Sequence, residues 1–138
     1  MTIVYLDLAD YVAIATEVTG LDATTIISAA NLNLADSALN APAAEFGGEE
    51  FYPDFVDKCA VLAVRLAKNH ALPDGNKRVC WVALRLFIEI NGWVWTTRPS
   101  IDYAEQTVLA VASGTLDEDG LADWLRPQIS EVLEVEES

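Results

Sequence analysis

The chain has 138 residues, 52% of them hydrophobic, and a formal net charge of −14, which predicts one compact domain over residues 1–138. Its acidity argues against direct binding to nucleic acid, because phosphate backbones are bound by clustered Lys and Arg. No apolar run approaches the roughly 18 residues of a membrane span, and no Lys or Arg precedes Lys58 to form a secretory signal, so we expect a soluble, cytoplasmic protein without a membrane partner.

The first third of the sequence predicts three helices. Asp7 is placed to cap a helix that ends just before Gly20, and a second helix begins near Asp22. A third, shorter helix is predicted over 34–40, because a proline follows it closely. The segment IVYL, residues 3–6, has strand character.

The segment AEFGGEEFYP, residues 44–53, interrupts the helical pattern. Its paired glycines between aromatic residues predict a tight turn or a short hairpin. Apolar residues then recur with the helical period and predict a helix over 53–69, with His70 at its C-terminal end. Cys59 and Cys80 fall within apolar helical patterns, which favours small buried thiols over a disulfide.

The clearest helical pattern follows a short loop. Asn76 is predicted to cap this helix, and Asn91 with Gly92 is predicted to end it. The 3.6-residue period gives its predicted buried face, which comprises Val79, Val82, Ala83, Leu86, Phe87 and Ile90.

Two more helices are predicted before an acidic tail. Ser100 caps one that ends near Gly114, and Asp117 caps another that runs to Arg126. The tail is expected to fray, and its carboxylates are Glu131, Glu134, Glu136 and Glu137. The predicted fold class is therefore all-α, with a minor β element at most.

Positive charge is concentrated in the middle of the chain. Residues 1–57 carry ten acidic residues and no Lys or Arg, residues 58–98 carry seven Lys or Arg against two acids, and residues 99–138 carry one Arg against ten acids. The loop sequence NHALPDGNKRV, residues 69–79, lies in the basic segment and contains the only histidine.

The positively charged residues of this segment fall into two groups. We interpret Lys58, Arg65 and Lys68 as residues on solvated helix faces. Lys77 and Arg78 differ because they are predicted to lie in the first turn of a helix, where positive charge opposes the helix dipole unless an anion is bound.

The loop combines groups that suit phosphate chemistry. The helix beginning at Asn76 presents unpaired N–H groups and the positive end of its dipole, and Lys77 and Arg78 add full positive charge. Asp74 would oppose an anion alone but suits a Mg²⁺ ion that bridges to phosphate. His70 is a suitable general base for an incoming hydroxyl. Together these groups predict phosphoryl or nucleotidyl transfer.

Each of these groups also has an ordinary structural interpretation. A histidine at a helix C-terminus favours the dipole, Pro-Asp-Gly is a common turn, asparagine is a common cap, and cations in a first turn are usually solvated. The conjunction of all four favours the functional interpretation. The loop is not a Walker A motif, because the glycine pattern before Gly-Lys-Ser/Thr is absent.

The sequence HALPDGNKR, residues 70–78, resembles the active-site motif of the Fic/Doc family, His-x-Phe-x-Asp/Glu-Gly/Ala-Asn-Gly/Lys-Arg, and specifically its Doc (death-on-curing) toxin branch. Similar segments follow the family order over most of the chain, namely VYLDLADYVAI, LADSALNAP, FGGEEFYP and ALRLFIEINGW. The resemblance implies a compact helical bundle with a short β-hairpin flap. FGGEEFYP aligns with the flap region that docks target peptides in this family, and the alternative is a simple surface hairpin. The resemblance also implies transfer of a phosphate-containing part of a nucleotide to a protein hydroxyl.

The resemblance assigns roles to the loop residues. It implies that His70 is the general base, that Lys77 and Arg78 are catalytic, and that Asp74 binds Mg²⁺. The residues that would bind ATP are Gly75, Asn76, Lys77 and Arg78.

Lys77 indicates which part of ATP is transferred. Family members that adenylylate have glycine there, which lets the backbone approach a diphosphate closely, and a second arginine where this chain has Trp81. Other departures are Leu72 in place of the usual Phe and Val79 in place of the common Thr. In the Doc branch the motif with lysine is associated with phosphorylation. The resemblance therefore implies transfer of the γ-phosphate of ATP to a threonine of elongation factor Tu, which blocks translation.

The resemblance also predicts how the activity of this protein is inhibited. No Glu is followed by Gly or Asn, so the inhibitory motif Ser/Thr-x-x-x-Glu-Gly/Asn is absent and a separate Phd-like antitoxin is implied. Two alternatives remain open. One is adenylylation of a protein hydroxyl, and the other is a catalytically inactive module that binds an antitoxin or another protein.

Overall fold

A computed structural model describes residues 2–132, which form seven α-helices and two small antiparallel sheets. The helices are α1 (Leu8–Thr19), α2 (Ala23–Ala29), α3 (Leu32–Asn40), α4 (Phe55–Lys68), α5 (Asn76–Ile90), α6 (Ile101–Ala112) and α7 (Glu118–Leu125). The strands are β1 (Glu45–Phe46), β2 (Glu49–Glu50), β3 (Trp93–Trp95) and β4 (Ile129–Glu131). A 3-10 turn, Ala41–Ala43, follows α3. The all-α fold class with a β-hairpin is confirmed.

Helix α4 is the centre of the core. It contacts α3, α5, α6 and α7, and nearly all of its side chains are buried, as expected of a helix enclosed on every side. One of these buried side chains is Lys58, which is 1% exposed. The interpretation of Lys58 as a solvated cation is therefore wrong, whereas Arg65 and Lys68 are exposed as expected.

Helix α5 packs beside α4 and also contacts α1 and α6. The predicted buried face of α5 is largely correct: its residues are buried or half-buried except Ile90, which is 40% exposed. A second stripe of α5 is also buried, and it consists of Cys80, whose burial was predicted, and of Leu84 and Ile88, whose burial was not. The reason is that neighbours on several sides cover more of α5 than the single face of an amphipathic helix.

The N-terminal segment 3–6 is not a strand, so that prediction is wrong. The buried side chain of Asn91 replaces a strand partner: Val4 donates its N–H to Asn91 Oδ1 at 2.7 Å, and Asn91 Nδ2 donates to Val4 O at 3.0 Å. Asn91 thus ties the N-terminal segment to the end of α5, because it satisfies both backbone groups of Val4.

A second sheet forms where no strand was predicted. Strand β3 pairs antiparallel with β4, with Trp93 opposite Glu131 and Trp95 opposite Ile129. The prediction that Glu131 frays is therefore wrong. The other tail residues of that prediction, Glu134, Glu136 and Glu137, lie outside the described residues. Trp93 also stacks on Phe55, with ring centroids 4.9 Å apart, so the pairing is supported by core packing.

A helix that crosses a membrane must be both long and apolar. Within residues 2–132, no single helix is both long and apolar enough to span a membrane. Helices α1 and α2 pass together on length and composition, but the pair is bent by 106°.

Cys59 and Cys80 are free and buried, which confirms the prediction of structural thiols. Burial raises the pKa of the Cys80 thiol to about 12 and raises the pKa of Cys59 well above its ordinary value. Burial also raises the pKa of Tyr11 to about 12. The folded state therefore retains these protons at a pH where the unfolded chain releases them.

We expect the free energy of unfolding to decrease as the pH rises from about 9 to about 12. An unfolded cysteine titrates near 9.0, whereas Cys80 in the folded state titrates at about 12, so the folded state binds more protons in this window. Each such group contributes a slope of about −1.4 kcal/mol per pH unit. Denaturant unfolding at several pH values measures the slope, and Cys80→Ala should make it shallower. An equal slope in both proteins would contradict this account.

Candidate active site

The connection between α4 and α5, residues 69–75, carries three of the six predicted site residues, and the other three are the first residues of α5. Its middle is held against the fold, because Ala71 and Leu72 are buried in the core and Ala71 O accepts a hydrogen bond from Asn31 N at 2.7 Å. Leu72 thus occupies an apolar packing position in the motif. The polar residues on either side are consequently presented from a fixed segment of backbone.

The side chain of Asn76 forms hydrogen bonds with the backbone of this loop. Its Oδ1 accepts from Leu72 N at 3.0 Å, and its Nδ2 donates to Leu72 O at 2.8 Å. The prediction that Asn76 caps α5 is wrong, because it is the first helical residue and the N-cap position belongs to Gly75, which has φ 91°. With both ends of its side-chain amide engaged, Asn76 can serve the predicted ATP site through its backbone N–H.

The N-terminus of α5 differs from those of the other helices in residues 2–132. Six helices begin with a side chain that accepts a backbone N–H, and the capping residues are Asp7, Asp22, Asn31, Asp54, Ser100 and Asp117. Gly75 provides no such side chain. The first N–H groups of α5 are therefore available to an external acceptor, and the helix dipole favours an anion there.

His70 lies just beyond the end of α4 with an exposed side chain. Its φ of 49° makes it the single non-glycine residue with positive φ among the described residues. This left-handed conformation is uncommon outside glycine, and such residues are concentrated at functional sites. The buried Ala71 that follows holds the backbone in place.

The charged residues of the loop are exposed to solvent. Asp74, Lys77 and Arg78 make no ion pair with another described residue. Lys77 and Arg78 extend from the first turn of α5, beside the uncapped N–H groups. The structure thus places positive side chains, an unpaired carboxylate and an exposed imidazole on one short loop.

The sequence was compared with known families and with curated proteins. Residues 5–88, which include α4, the loop and most of α5, match the Fic/DOC family. The chain belongs to the Fic/Doc family. It is also 42% identical over 89 residues to a protein named Toxin Doc from Mycolicibacterium smegmatis, in an alignment that covers 64% of this chain and 68% of the relative. The predicted membership of the Doc branch is confirmed.

A groove with a volume of about 870 Å³ adjoins the Fic/Doc loop. It is bounded by residues of α1, α5, β3 and α6 and of the segment 98–100. Lys77 and Arg78 form part of its wall, whereas His70 and Asp74 do not line it. Two further cations, Arg85 and Arg98, also line it. No local sequence signal predicted this groove, because its walls come from segments far apart in the chain.

The surroundings of Asp74 limit the kind of metal site that it can form. Among residues 2–132, no group of three or more His, Cys, Asp or Glu side chains is placed to hold a metal ion. A lone exposed carboxylate does fit Mg²⁺ that takes its other ligands from nucleotide phosphates and water. Asp74 therefore suits a metal that arrives with ATP and does not suit a metal held by the protein alone.

The loop of this Fic/Doc protein should depend on Asn76. We expect Asn76→Ala to lower the free energy of unfolding by about 1–3 kcal/mol, because two backbone groups of the buried Leu72 lose their partners. Urea unfolding measures the change. Asn33→Ala, at an exposed position of α3, is the matched control, and equal effects in the two variants would show that the contacts with Leu72 contribute little.

Proposed function

We propose that this protein is a Doc-type toxin that transfers the γ-phosphate of ATP to a protein hydroxyl. The expected acceptor is a threonine of elongation factor Tu, and its modification would block translation. The observation that carries the proposal is the uncapped N-terminus of α5 beside Lys77 and Arg78. The likeness to a protein named Toxin Doc supports the assignment to a toxin.

In this mechanism the phosphates of ATP bind at the start of α5. The free N–H groups of the first turn would donate to phosphate oxygens, and Arg78 would bind them with its planar guanidinium. Lys77 would add a point charge close to the transferred group. Phosphoryl transfer depends mainly on such positioning and charge stabilisation.

His70 would remove the proton from the acceptor hydroxyl. The hydroxyl oxygen forms a bond to the γ-phosphorus, the bond from that phosphorus to the bridging oxygen breaks, and ADP leaves with the bridging oxygen. The proton of the hydroxyl passes to the imidazole. The exposed position of His70 next to a buried segment suits this role, because the base is accessible to a protein substrate while its backbone is fixed.

Asp74 would hold Mg²⁺ together with the phosphates of ATP. The ion supplies neutralisation of phosphate charge when it is bound. Asp74 faces no competing cation in an ion pair within the described part of the chain, so its carboxylate is available for this contact.

The mass of the modified target tests the proposal. We expect purified elongation factor Tu, incubated with this protein and Mg-ATP, to gain one phosphate on a threonine. Gain of a nucleotide would instead support the adenylylating alternative, in spite of Lys77 and Trp81. If the target is unchanged and calorimetry detects no binding of Mg-ATP, the chain is a binding module and the enzymatic proposal is wrong.

We also propose that an antitoxin segment occupies the groove beside the loop. Four of the eight Lys and Arg residues of this acidic chain line the groove, against two carboxylates, Glu17 and Glu105. The rest of the wall is mainly apolar and includes Trp81. This combination fits an acidic, amphipathic segment of a Phd-like antitoxin. A polypeptide seated there would contact Lys77 and Arg78 and thereby cover part of the phosphate site.

Reversal of charge in the groove should weaken this complex. We expect the double variant Arg85→Glu, Arg98→Glu to bind the antitoxin about tenfold more weakly or worse, because both cations line the groove. Calorimetry at two salt concentrations measures the affinity and its electrostatic part. Lys68→Glu, an exposed cation on α4, is the matched control. Equal affinities in the two variants would place the antitoxin elsewhere.

A further inference from the structure

The most deeply buried charge in the described part of the chain is the ammonium of Lys58, on α4. Its Nζ donates to Glu50 Oε1 at 2.9 Å and to Pro42 O at 3.1 Å. It also lies 5.5 Å from the ring centroid of Tyr5. One cation therefore joins the central helix to the turn just before the β1–β2 hairpin, to strand β2 and to the N-terminal segment.

The hairpin requires such an external contact. Each of its strands has two residues, and a ribbon of this size is marginal on its own. Glu45 and Glu50 are opposite each other in the ladder, which places two negative charges side by side and is unfavourable. Lys58 offsets this repulsion because it binds the carboxylate of Glu50 directly.

We propose that Lys58 is a positioning residue: through Glu50 and Pro42 it fixes the β1–β2 hairpin relative to α4. The hairpin is the flap through which the family resemblance implies that target peptides dock. The inference rests on the proposed phosphate transfer for its docking part. The anchoring part stands on the contacts of Lys58 alone.

The charge of Lys58 supports its role in positioning the hairpin. Burial lowers the pKa of Lys58, but the hydrogen bonds and charges of Glu50 and Tyr5 raise it more, so the net direction is upward. Removal of the Lys58 ammonium from water is costly while Glu50 stays 43% exposed, so the pair contributes little stability compared with apolar residues of the same size. An apolar side chain would fill the same space without selecting one position of Glu50.

The exposed surface of the hairpin fits an extended polypeptide. Phe46 is 81% exposed and Phe51 is 61% exposed, and each short strand has a free edge in the two-stranded sheet. A substrate segment can add to such an edge and pack its side chains against the two aromatic rings. Since α4 carries Lys58 and leads directly to His70, the same helix sets the position of the hairpin and of the base.

Hydrogen exchange tests the anchoring part. We expect amide exchange of residues 44–52 to be about tenfold faster in Lys58→Met and in Glu50→Ala than in the wild-type protein, with exchange in α5 unchanged. Glu49→Ala is the matched control, because Glu49 is also a hairpin carboxylate and makes no contact with Lys58. The side chain of Glu50 is 43% exposed, so Glu50→Ala remains informative if Lys58→Met fails to fold.

Kinetics test the docking part. In Glu50→Ala, the KM for elongation factor Tu should rise about tenfold while the KM for ATP stays constant. Unchanged hairpin exchange in Lys58→Met and Glu50→Ala would overturn the proposal, and so would faster exchange with an unchanged KM for the protein substrate. Absence of transfer by the wild-type chain would count against the proposed function instead, and the exchange result would still decide whether Lys58 anchors the hairpin.

Discussion

Replacement of Arg78 or Lys77 by alanine should reduce the rate of phosphate transfer by roughly a hundred- to a thousandfold in each case. Both side chains extend from the first turn of α5, where the N–H groups lack a capping side chain. Removal of either one leaves the phosphates with less charge stabilisation, although His70 remains intact. Because stabilisation of the transferring group is lost mainly in the transition state, we expect most of the decrease in kcat.

Initial rates with labelled ATP measure this effect. Lys68→Ala is the control, because Lys68 is an exposed cation on α4 that lies outside the loop, and it should retain nearly full activity. Lys77 and Arg78 are both exposed, so the variants should fold normally, which thermal unfolding can verify. Full activity in either variant would mean that the loop is not the site of transfer.

Replacement of His70 should reduce transfer by roughly a hundred- to ten-thousandfold, because the acceptor hydroxyl loses its general base. The binding of ATP should be retained, since the phosphates are held by α5 and its cations. The positive φ of His70 complicates a simple alanine variant, because alanine in this conformation is strained. His70→Asn avoids the strain, since asparagine adopts left-handed backbone more readily.

Two measurements separate the imidazole from the backbone. Single-turnover transfer should be lost to a similar extent in His70→Asn and His70→Ala, whereas only His70→Ala should lower the free energy of unfolding. Calorimetry should give similar affinities for Mg-ATP in both variants and the wild type. Substantial transfer by His70→Asn would rule out general-base catalysis by this histidine.

The helix boundaries were largely predictable because their signals are local. Asp7, Ser100 and Asp117 were predicted to cap helices, and each accepts the expected backbone N–H. Asn76 is the exception. It was predicted to cap α5, but its side-chain amide forms hydrogen bonds with the backbone of Leu72 instead. A side-chain amide has two possible backbone partners there, and the pattern of residue types does not distinguish them.

The sequence by itself determined the helical class, the hairpin turn and the composition of the candidate site. It could do so because the site residues from His70 to Arg78 are contiguous and lie between two strongly periodic helices. Their use in catalysis remains a prediction that the experiments above address. Family membership, suggested by the same short motif, is supported over residues 5–88.

Only the tertiary structure decided how distant segments meet. It buried Lys58 against Glu50, paired Trp93 with Glu131, and brought Arg85 and Arg98 to one groove. Each of these contacts joins residues whose local sequence carries no mark of the partner. Local propensity depends on neighbours in the chain, whereas burial and pairing depend on which surfaces pack together, and that is fixed by the fold as a whole.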